Sequence, residues 1–371
     1  MPLKPLRAAV IGLGFIGPQH VDAIRRLPLA LPVALCDSSA EQVRAACERY
    51  GVPRGETSWR ELLHDPSIDV IHNCTPNALH DEINREALLC GKHVYSEKPL
   101  STSAAAAREL WALARERKLA AGINHQYRMN AAVQEMRARL QHSMAGRPLM
   151  VTGCYLQESA SRETDWSHRM ENTGPSRTVA DIGVHWVDTA CAVVGEPIRE
   201  VFADLQIHFP TRIGADGVAH LMTTEDTAFI LVRFQSGLPG QFTVSKSANG
   251  HKNDLRLNVW CEGYGMEWRQ EQPDRLILGK KETGYEILYM NPRACQEEVK
   301  PYVTTPMGHV MGWPDALRNS VSAFYSAILD GSYLTDSMPC ATFRDGFQGM
   351  AFIEACVRSS RERRWVEVEQ L

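Results

Sequence analysis

The chain reads as an α/β plus α+β protein in two parts. Residues 1–125 form a dinucleotide-binding domain and residues 126–371 form a second domain built on a mostly antiparallel sheet. Three observations predict this. Short β-branched runs alternate with amphipathic stretches through the first part. A Gly-x-Gly-x-x-Gly run lies between the first strand and the first helix. From about Met150 the pattern changes to apolar residues at every second position, as in strands with one covered face.

In order, the first part offers strands at Arg7–Gly12, Pro32–Asp37, Val70–Thr75, His93–Ser96 and Ala120–Asn124. Helical patterns near Ile16–Leu27, Ala40–Tyr50, Asn77–Cys90 and Ser103–Lys118 separate them. Such βαβ alternation argues for a parallel sheet with helices on both faces. The second part opens with a helix over Val179–Val194. Period-two runs follow at Val201–Phe209, Thr227–Phe234, Gln241–Ser247, Leu255–Cys261 and Glu286–Met290. Arg293–Pro314, rich in proline and glycine, reads as an irregular loop or lid. Helices near Trp313–Asp330 and Ala341–Arg361 close the chain.

Composition narrows the function classes. The 371 residues carry 40 basic and 44 acidic side chains, a net charge of −4, so neither nucleic acid nor an anionic membrane is expected as a partner. No apolar stretch approaches the roughly 20 residues of a spanning helix, and the N-terminus lacks the apolar core of a signal peptide. Ten cysteines are scattered without a CxxC pair, which points to a reducing cytoplasm. The histidines are dispersed, so no metal site is expected. GxxxxGK, GxSxG and HExxH motifs are absent.

The cofactor reading rests on Gly12-Leu13-Gly14-Phe15-Ile16-Gly17. Gly12 permits the tight turn, Gly14 lets backbone approach a pyrophosphate, and Gly17 allows close packing of the helix. The phosphates then meet the amides of a helix N-terminus, among them those of Phe15 and Ile16. Asp37, followed by Ser38, ends the second strand, where a carboxylate accepts from both ribose hydroxyls and repels a 2′-phosphate. No arginine follows to neutralise such a phosphate, which favours NAD over NADP. The alternative for Asp37 is a turn or helix-capping residue.

These residues resemble the glucose–fructose oxidoreductase / inositol dehydrogenase / MocA family over most of the chain. The likeness is carried by Gly12–Gly17, Cys74–His80, the run Ser96-Glu97-Lys98-Pro99-Leu100, and Asp181-Ile182-Gly183-Val184-His185-Trp186-Val187-Asp188. It implies a Rossmann domain joined to an open-faced sheet domain, with hydride transfer on sugars or cyclitols. It also implies a cis bond before Pro99. Thr75, Pro76, Asn77, His80, Glu97, Lys98 and Gln126 would line the cofactor. Tyr127, Arg128, Trp166 and Arg169 would serve the substrate, although Trp166 reads equally as a packed tryptophan. Asn124-His125-Gln126-Tyr127-Arg128 departs from the family's commoner Asn-Arg-Arg-Phe form. Lys246, His251 and Lys252 read as solvated charges on a hairpin.

Oxidising an alcohol requires a base, a polar group on the oxygen and a fixed carbon. Asp181, His185 and Asp188 fall at i, i+4 and i+7, on one helical stripe. By resemblance Lys98 would polarise the oxygen, His185 would take the proton, and Asp181 would orient the substrate, while Asp188 would be structural. The expected activity is NAD-dependent oxidation of a secondary hydroxyl on a sugar, a glycoside (at C3 of a glucose-type ring) or a cyclitol. A tightly held NAD serving sugar–sugar hydride exchange or redox-assisted elimination is the alternative. A non-enzymatic NAD-binding regulator is a third class, disfavoured by the intact Lys98, Asp181 and His185. An uncovered sheet face would favour a homodimer or homotetramer.

Overall fold

The computed structural model describes residues 4–167, 170, 174–335 and 338–371. Contacts divide the chain into two compact units. The first is Met1–Gln126 with Ala316–Phe347; the second is Tyr127–Asp315 with Gln348–Leu371.

The first unit carries β1 (Leu6–Ile11), α1 (Gly17–Arg25), β2 (Ala30–Cys36), α2 (Ala40–Tyr50), β3 (Arg54–Glu56), α3 (Trp59–Leu63), β4 (Val70–Asn73), α4 (His80–Leu89), β5 (His93–Ser96), α5 (Ala104–Arg117) and β6 (Ala121–Ile123). Its strands form one six-stranded sheet in the order β3-β2-β1-β4-β5-β6, and every pairing is parallel. Ala8, Ala9 and Val10 of β1 are fully buried, as expected of a strand covered on both faces. Local chemistry sets the helix ends. The Ser39 hydroxyl caps α2 by accepting from the Gln42 amide, and α2 stops at Gly51 in a left-handed conformation. The Ser103 hydroxyl does the same for α5 at the Ala106 amide. The expected elements are all present here; β3 and α3, too short for a periodic signal, are additions. The later segment Ala316–Phe347 also packs on this sheet: the Ile123 amide donates to Ala341 O at 3.0 Å and the Tyr95 hydroxyl to Ser320 Oγ at 2.7 Å.

The second unit contains α6 (Ala131–Gln141), β7 (Pro148–Leu156), α7 (Val184–Val194), β8 (Ile198–Gln206), β9 (Thr211–Ile213), β10 (Ala219–Leu221), β11 (Thr227–Phe234), β12 (Pro239–Ser245), β13 (Asp254–Cys261), β14 (Gly265–Arg269), β15 (Arg275–Lys280) and β16 (Gly284–Tyr289). The helices α8 (Trp313–Asp330) and α9 (Phe343–Glu362) and the short β17 (Val366–Glu367) follow. Nine strands make one sheet, β16-β15-β14-β13-β7-β12-β11-β8-β17. Among the described residues, only β7 and β12 run parallel within it. Period two is plain in β11, where Ala228, Ile230, Val232 and Phe234 are buried and Phe229 and Leu231 exposed. Trp186 of α7 covers the buried face, stacking on Phe242 at 4.0 Å and donating its indole N–H to Arg256 O at 3.0 Å.

One expectation needs correction. The single helix over Val179–Val194 is a π-helical turn, Val179–Gly183, followed by α7. Glu225 pins its start, accepting the Val179 amide at 2.9 Å through Oε1 and the Thr178 hydroxyl at 2.7 Å through its backbone carbonyl. Such wider turns recur at functional sites. Arg293–Pro314 is largely irregular, with a 3₁₀ turn at Glu297–Tyr302.

Candidate active site

In the first unit the turns after β1, β4 and β5 leave neighbouring parallel strands at one carboxyl edge, where such sheets hold ligands. The three loop glycines differ in what surrounds them. Gly12 has φ +92°, and a Cβ there would lie 2.5 Å from Cys74 O. A Cβ on Gly17 would lie 1.9 Å from Gly12 O, so the turn folds back against the start of α1. A Cβ on Gly14 would meet nothing within 4 Å. The space over Gly14 is thus open while the other two positions are closed by backbone.

Helix α1 begins at Gly17, with no side-chain cap from the preceding Ile16 and no acidic residue in its first turn. Its positive end is therefore available to an anion. Phe15 is 72 % exposed beside it. Asp37 Oδ2 accepts the Leu13 amide at 2.7 Å, and Oδ1 accepts the Ser39 amide at 3.2 Å and the Ser38 hydroxyl at 3.4 Å. The carboxylate is thereby fixed against the glycine turn, and Ser39, not Asp37, caps α2. A pyrophosphate at α1 and a ribose at Asp37 fit these residues.

The turns after β4 and β5 share a buried polar network. Asn73 Oδ1 accepts from the Thr75 hydroxyl at 2.7 Å, and Asn73 Nδ2 donates to Asn84 Oδ1 at 2.8 Å. Asn84 in turn donates to Ser96 Oγ at 3.0 Å, and the Ser96 hydroxyl to Glu97 O at 3.0 Å. Pro76 is exposed and Asn77 half-buried. His80 is fully buried, its ring nitrogens facing Pro99 O at 2.7 Å and Thr75 O at 2.9 Å. Burial lowers its pKa, and the two carbonyls pull the other way. The Lys98–Pro99 bond is cis, and Lys98 is half-buried.

Glu97 is buried and both its oxygens are engaged. Oε1 accepts from His20 Nε2 at 2.9 Å and from Asn124 Nδ2 at 2.6 Å; Oε2 accepts the Lys98 amide at 3.2 Å. Burial alone would raise its pKa. The His20 hydrogen bond, the Lys98 charge and the Asn124 amide outweigh burial and leave it below the usual value. Gln126, the last residue of this stretch, is buried at the start of a 3₁₀ turn.

The second unit gathers its own polar cluster. Asp181, on the π turn, pairs with Lys246 at the end of β12. The Lys246 side chain is only 14 % exposed, so it is not the solvated charge that its hairpin position suggests. His251 pairs with Asp254 at 2.7 Å, and Lys252 with Glu158. His185 is buried edge-to-face with Tyr127, ring centroids 5.0 Å apart. The Tyr127 and Tyr155 hydroxyls are 3.1 Å apart; Asn253 Nδ2 donates to the first at 3.0 Å, and Asn253 Oδ1 accepts from the second at 2.6 Å. Burial holds the Tyr155 phenol well above its ordinary pKa, with Tyr127 and Asp181 adding to it. Arg128 is buried in a two-pronged pair with Asp188, Nε to Oδ2 at 2.9 Å. Trp166 stacks on His220 with centroids 3.7 Å apart. Arg169 lies outside the described residues.

Sequence reasoning missed His20, His72, Asn73, Asn84 and the buried Glu225–Asp226 pair, and it placed Lys246 in solvent. A signal existed for three of them: His20 stands on the buried side of α1, and His72 and Asn73 interrupt an otherwise apolar buried strand.

Residues 6–125 match the family model described as an oxidoreductase family, NAD-binding Rossmann fold, and residues 133–266 match the GFO/IDH/MocA C-terminal domain. The chain is 32% identical to a 1,5-anhydro-D-fructose reductase from Ensifer adhaerens, with 98% of each chain covered. It is 26% identical to a levoglucosan dehydrogenase from Pseudarthrobacter phenanthrenivorans over 100% of both. A solved levoglucosan dehydrogenase in complex with NADH and L-sorbose has the same fold: TM-score 0.90 at 24% identity, covering 100% of both chains.

Proposed function

We propose that this chain, which belongs to the GFO/IDH/MocA oxidoreductase family and carries its NAD-binding Rossmann domain, oxidises a secondary hydroxyl of a pyranose sugar or glycoside, at C3 of a glucose-configured ring. Bound NAD supplies the hydride acceptor. Lys98 donates to the substrate oxygen, His185 takes the hydroxyl proton, and Asp181 orients the ring. The observation that carries this reading is the shared carboxyl edge of the parallel sheet: the glycine turn, Thr75 and Lys98 leave the neighbouring strands β1, β4 and β5. Asp37 serves the ribose, the amides of the glycine turn serve the pyrophosphate, and Thr75, Pro76 and Asn77 border the nicotinamide half. An imidazole is the side chain suited to proton transfer near neutral pH. Tyr127 and Tyr155 pack around it, and the Lys246 ammonium supports an ionised Asp181.

The test is a panel of glucosides, levoglucosan, free aldoses and inositols with NAD⁺, read by reduced-nicotinamide absorbance. On the best substrate, Lys98→Ala and His185→Ala should each cut turnover by about a hundredfold or more and still bind NADH. Near-normal turnover in both variants refutes the assignment.

The same chain is proposed to work as a homo-oligomer in a reducing cytoplasm. Among the described residues no disulfide is formed, and no helix is long and apolar enough to cross a membrane. The outer face of the nine-stranded sheet exposes Phe229 (52 %), Leu231, Ile287 and Tyr289 (50 %), a surface suited to a second copy. A monomeric mass by light scattering at micromolar concentration refutes the pairing.

A further inference from the structure

Four buried groups of the first unit stand in line behind Lys98. The Tyr325 hydroxyl is 2.8 Å from His72 Nε2, His72 Nδ1 is 2.9 Å from His20 Nδ1, and His20 Nε2 is 2.9 Å from Glu97 Oε1. His20, His72 and Tyr325 are fully buried and Glu97 is 7 % exposed. The proposed reaction uses none of the three groups behind Glu97.

One assignment of hydrogens satisfies every group in the chain. A carboxylate only accepts, so His20 Nε2 carries a hydrogen and donates to Glu97. Burial holds the His72 imidazole well below its ordinary pKa, so His72 is neutral. If Tyr325 donates to His72 Nε2, then His72 Nδ1–H donates to His20 Nδ1, and every hydrogen has an acceptor. Reversing the chain gives the Tyr325 hydroxyl hydrogen no place in it. All the donors therefore point at the Glu97 carboxylate. The chain ends at a fully buried tyrosine, so it stores and orients charge; it does not conduct protons to solvent.

From this geometry we infer that His20 is a positioning residue: backed by His72 and Tyr325, it keeps the Glu97 carboxylate charged, and that charge fixes Lys98 for the reaction. The inference rests on the role given to Lys98 above. Glu97 acts on Lys98 twice, accepting its backbone N–H and placing a negative charge near its ammonium. The groups facing Glu97 come from several elements: His20 from α1, Cys74 after β4, His80 from α4, Tyr95 from β5, the adjacent Lys98 and Asn124 after β6, while His72 and Tyr325 reach it through His20. Burial holds the Cys74 thiol and the Tyr95 and Tyr325 phenols well above their ordinary pKa. Of these groups, His20 and Asn124 donate hydrogen bonds to the carboxylate from their side chains.

Without the imidazole, a carboxylate this buried takes up a proton at a pH where the native one is ionised. His20→Leu should therefore lose on the order of a hundredfold in kcat/KM at pH 6 and recover to within about threefold of wild type at pH 9, where Glu97 ionises again. Glu97→Gln, neutral at every pH, should show the loss at both. His20→Gln, whose amide still donates, should stay near wild type. An infrared difference spectrum at pH 6 gives a readout independent of turnover: a protonated-carboxyl band should appear in His20→Leu and vanish in His20→Leu/Glu97→Gln. A His20→Leu deficit equal at pH 6 and pH 9, or no new carboxyl band, overturns the inference. If Lys98→Ala retains turnover while the band appears, the function proposed for Lys98 has failed and the charge store has not.

Discussion

Replacing the three glycines of the phosphate turn one at a time separates folding from binding. In Gly17→Ala the new methyl would start 1.9 Å from Gly12 O, well over an ångström inside normal contact. Both atoms belong to backbone locked between β1 and α1, so the strain has no flexible side chain to relax into. Distortion of that size costs about 4 kcal/mol or more, a large share of a domain's stability. Gly12→Ala adds a left-handed φ of +92° to a 2.5 Å approach to Cys74 O, with a similar outcome. Gly14→Ala meets nothing within 4 Å and needs no positive φ, so its stability should stay within about 0.5 kcal/mol of wild type. Its methyl instead takes the space open to a pyrophosphate and should weaken NADH by about tenfold or more, about 1.4 kcal/mol. Denaturant unfolding followed by circular dichroism gives the first quantity and NADH fluorescence titration the second. Unchanged NADH affinity in Gly14→Ala, or wild-type stability in Gly17→Ala, refutes this reading of the turn.

Two further outcomes follow from buried charge. Burial pushes the His93 imidazole down to about 4, and its Nδ1 accepts the Ala120 amide at 2.9 Å. The unfolded chain, with a histidine near 6.5, binds more protons between those values, so stability is full above about pH 6.5 and falls as the pH drops toward 4. The loss is at most about 3 kcal/mol, and His93→Gln should flatten that part of the stability profile; an unchanged slope contradicts it. Asp226 is fully buried between Arg177 and Arg212. Asp226→Ala leaves two buried guanidiniums short of their carboxylate and should cost about 3–5 kcal/mol in denaturant melts; a loss under about 1 kcal/mol would show the cluster to be dispensable.

What the sequence revealed follows from which signals are local. Asn77–Cys90 and Thr227–Phe234 announce themselves because one face is buried and the other wet, so apolar residues recur at the period of the element. Helix α6 did not, because Ala131 through Met136 are all buried and a helix covered all round has no stripe to detect. The π turn at Val179–Gly183 is set by Glu225, far away in the chain. Lys246 is exposed by its neighbours in sequence and covered by its neighbours in space. The glycine motif was legible for the opposite reason: three of its requirements fall within six residues.

The reacting centre was legible only through resemblance, and the buried network shows why. A lysine after a strand is unremarkable in itself; its neighbourhood is made by Glu97, which answers to His20 from α1, Asn124 after β6 and, through His72, Tyr325 from α8. None of these residues is at a fixed short spacing from Lys98. Yet two of them break a local rule: His20 stands on the buried side of a helix and His72 in the middle of a covered strand. A buried imidazole in an apolar setting costs several kcal/mol unless its nitrogens are paired, so each predicts a polar partner within reach. Two such anomalies in one domain predict one another. Read that way, the polar residues that disturb the Rossmann pattern are the ones that locate the chemistry, and the regular apolar positions around them supply the rigid frame that holds a charge out of water beside Lys98.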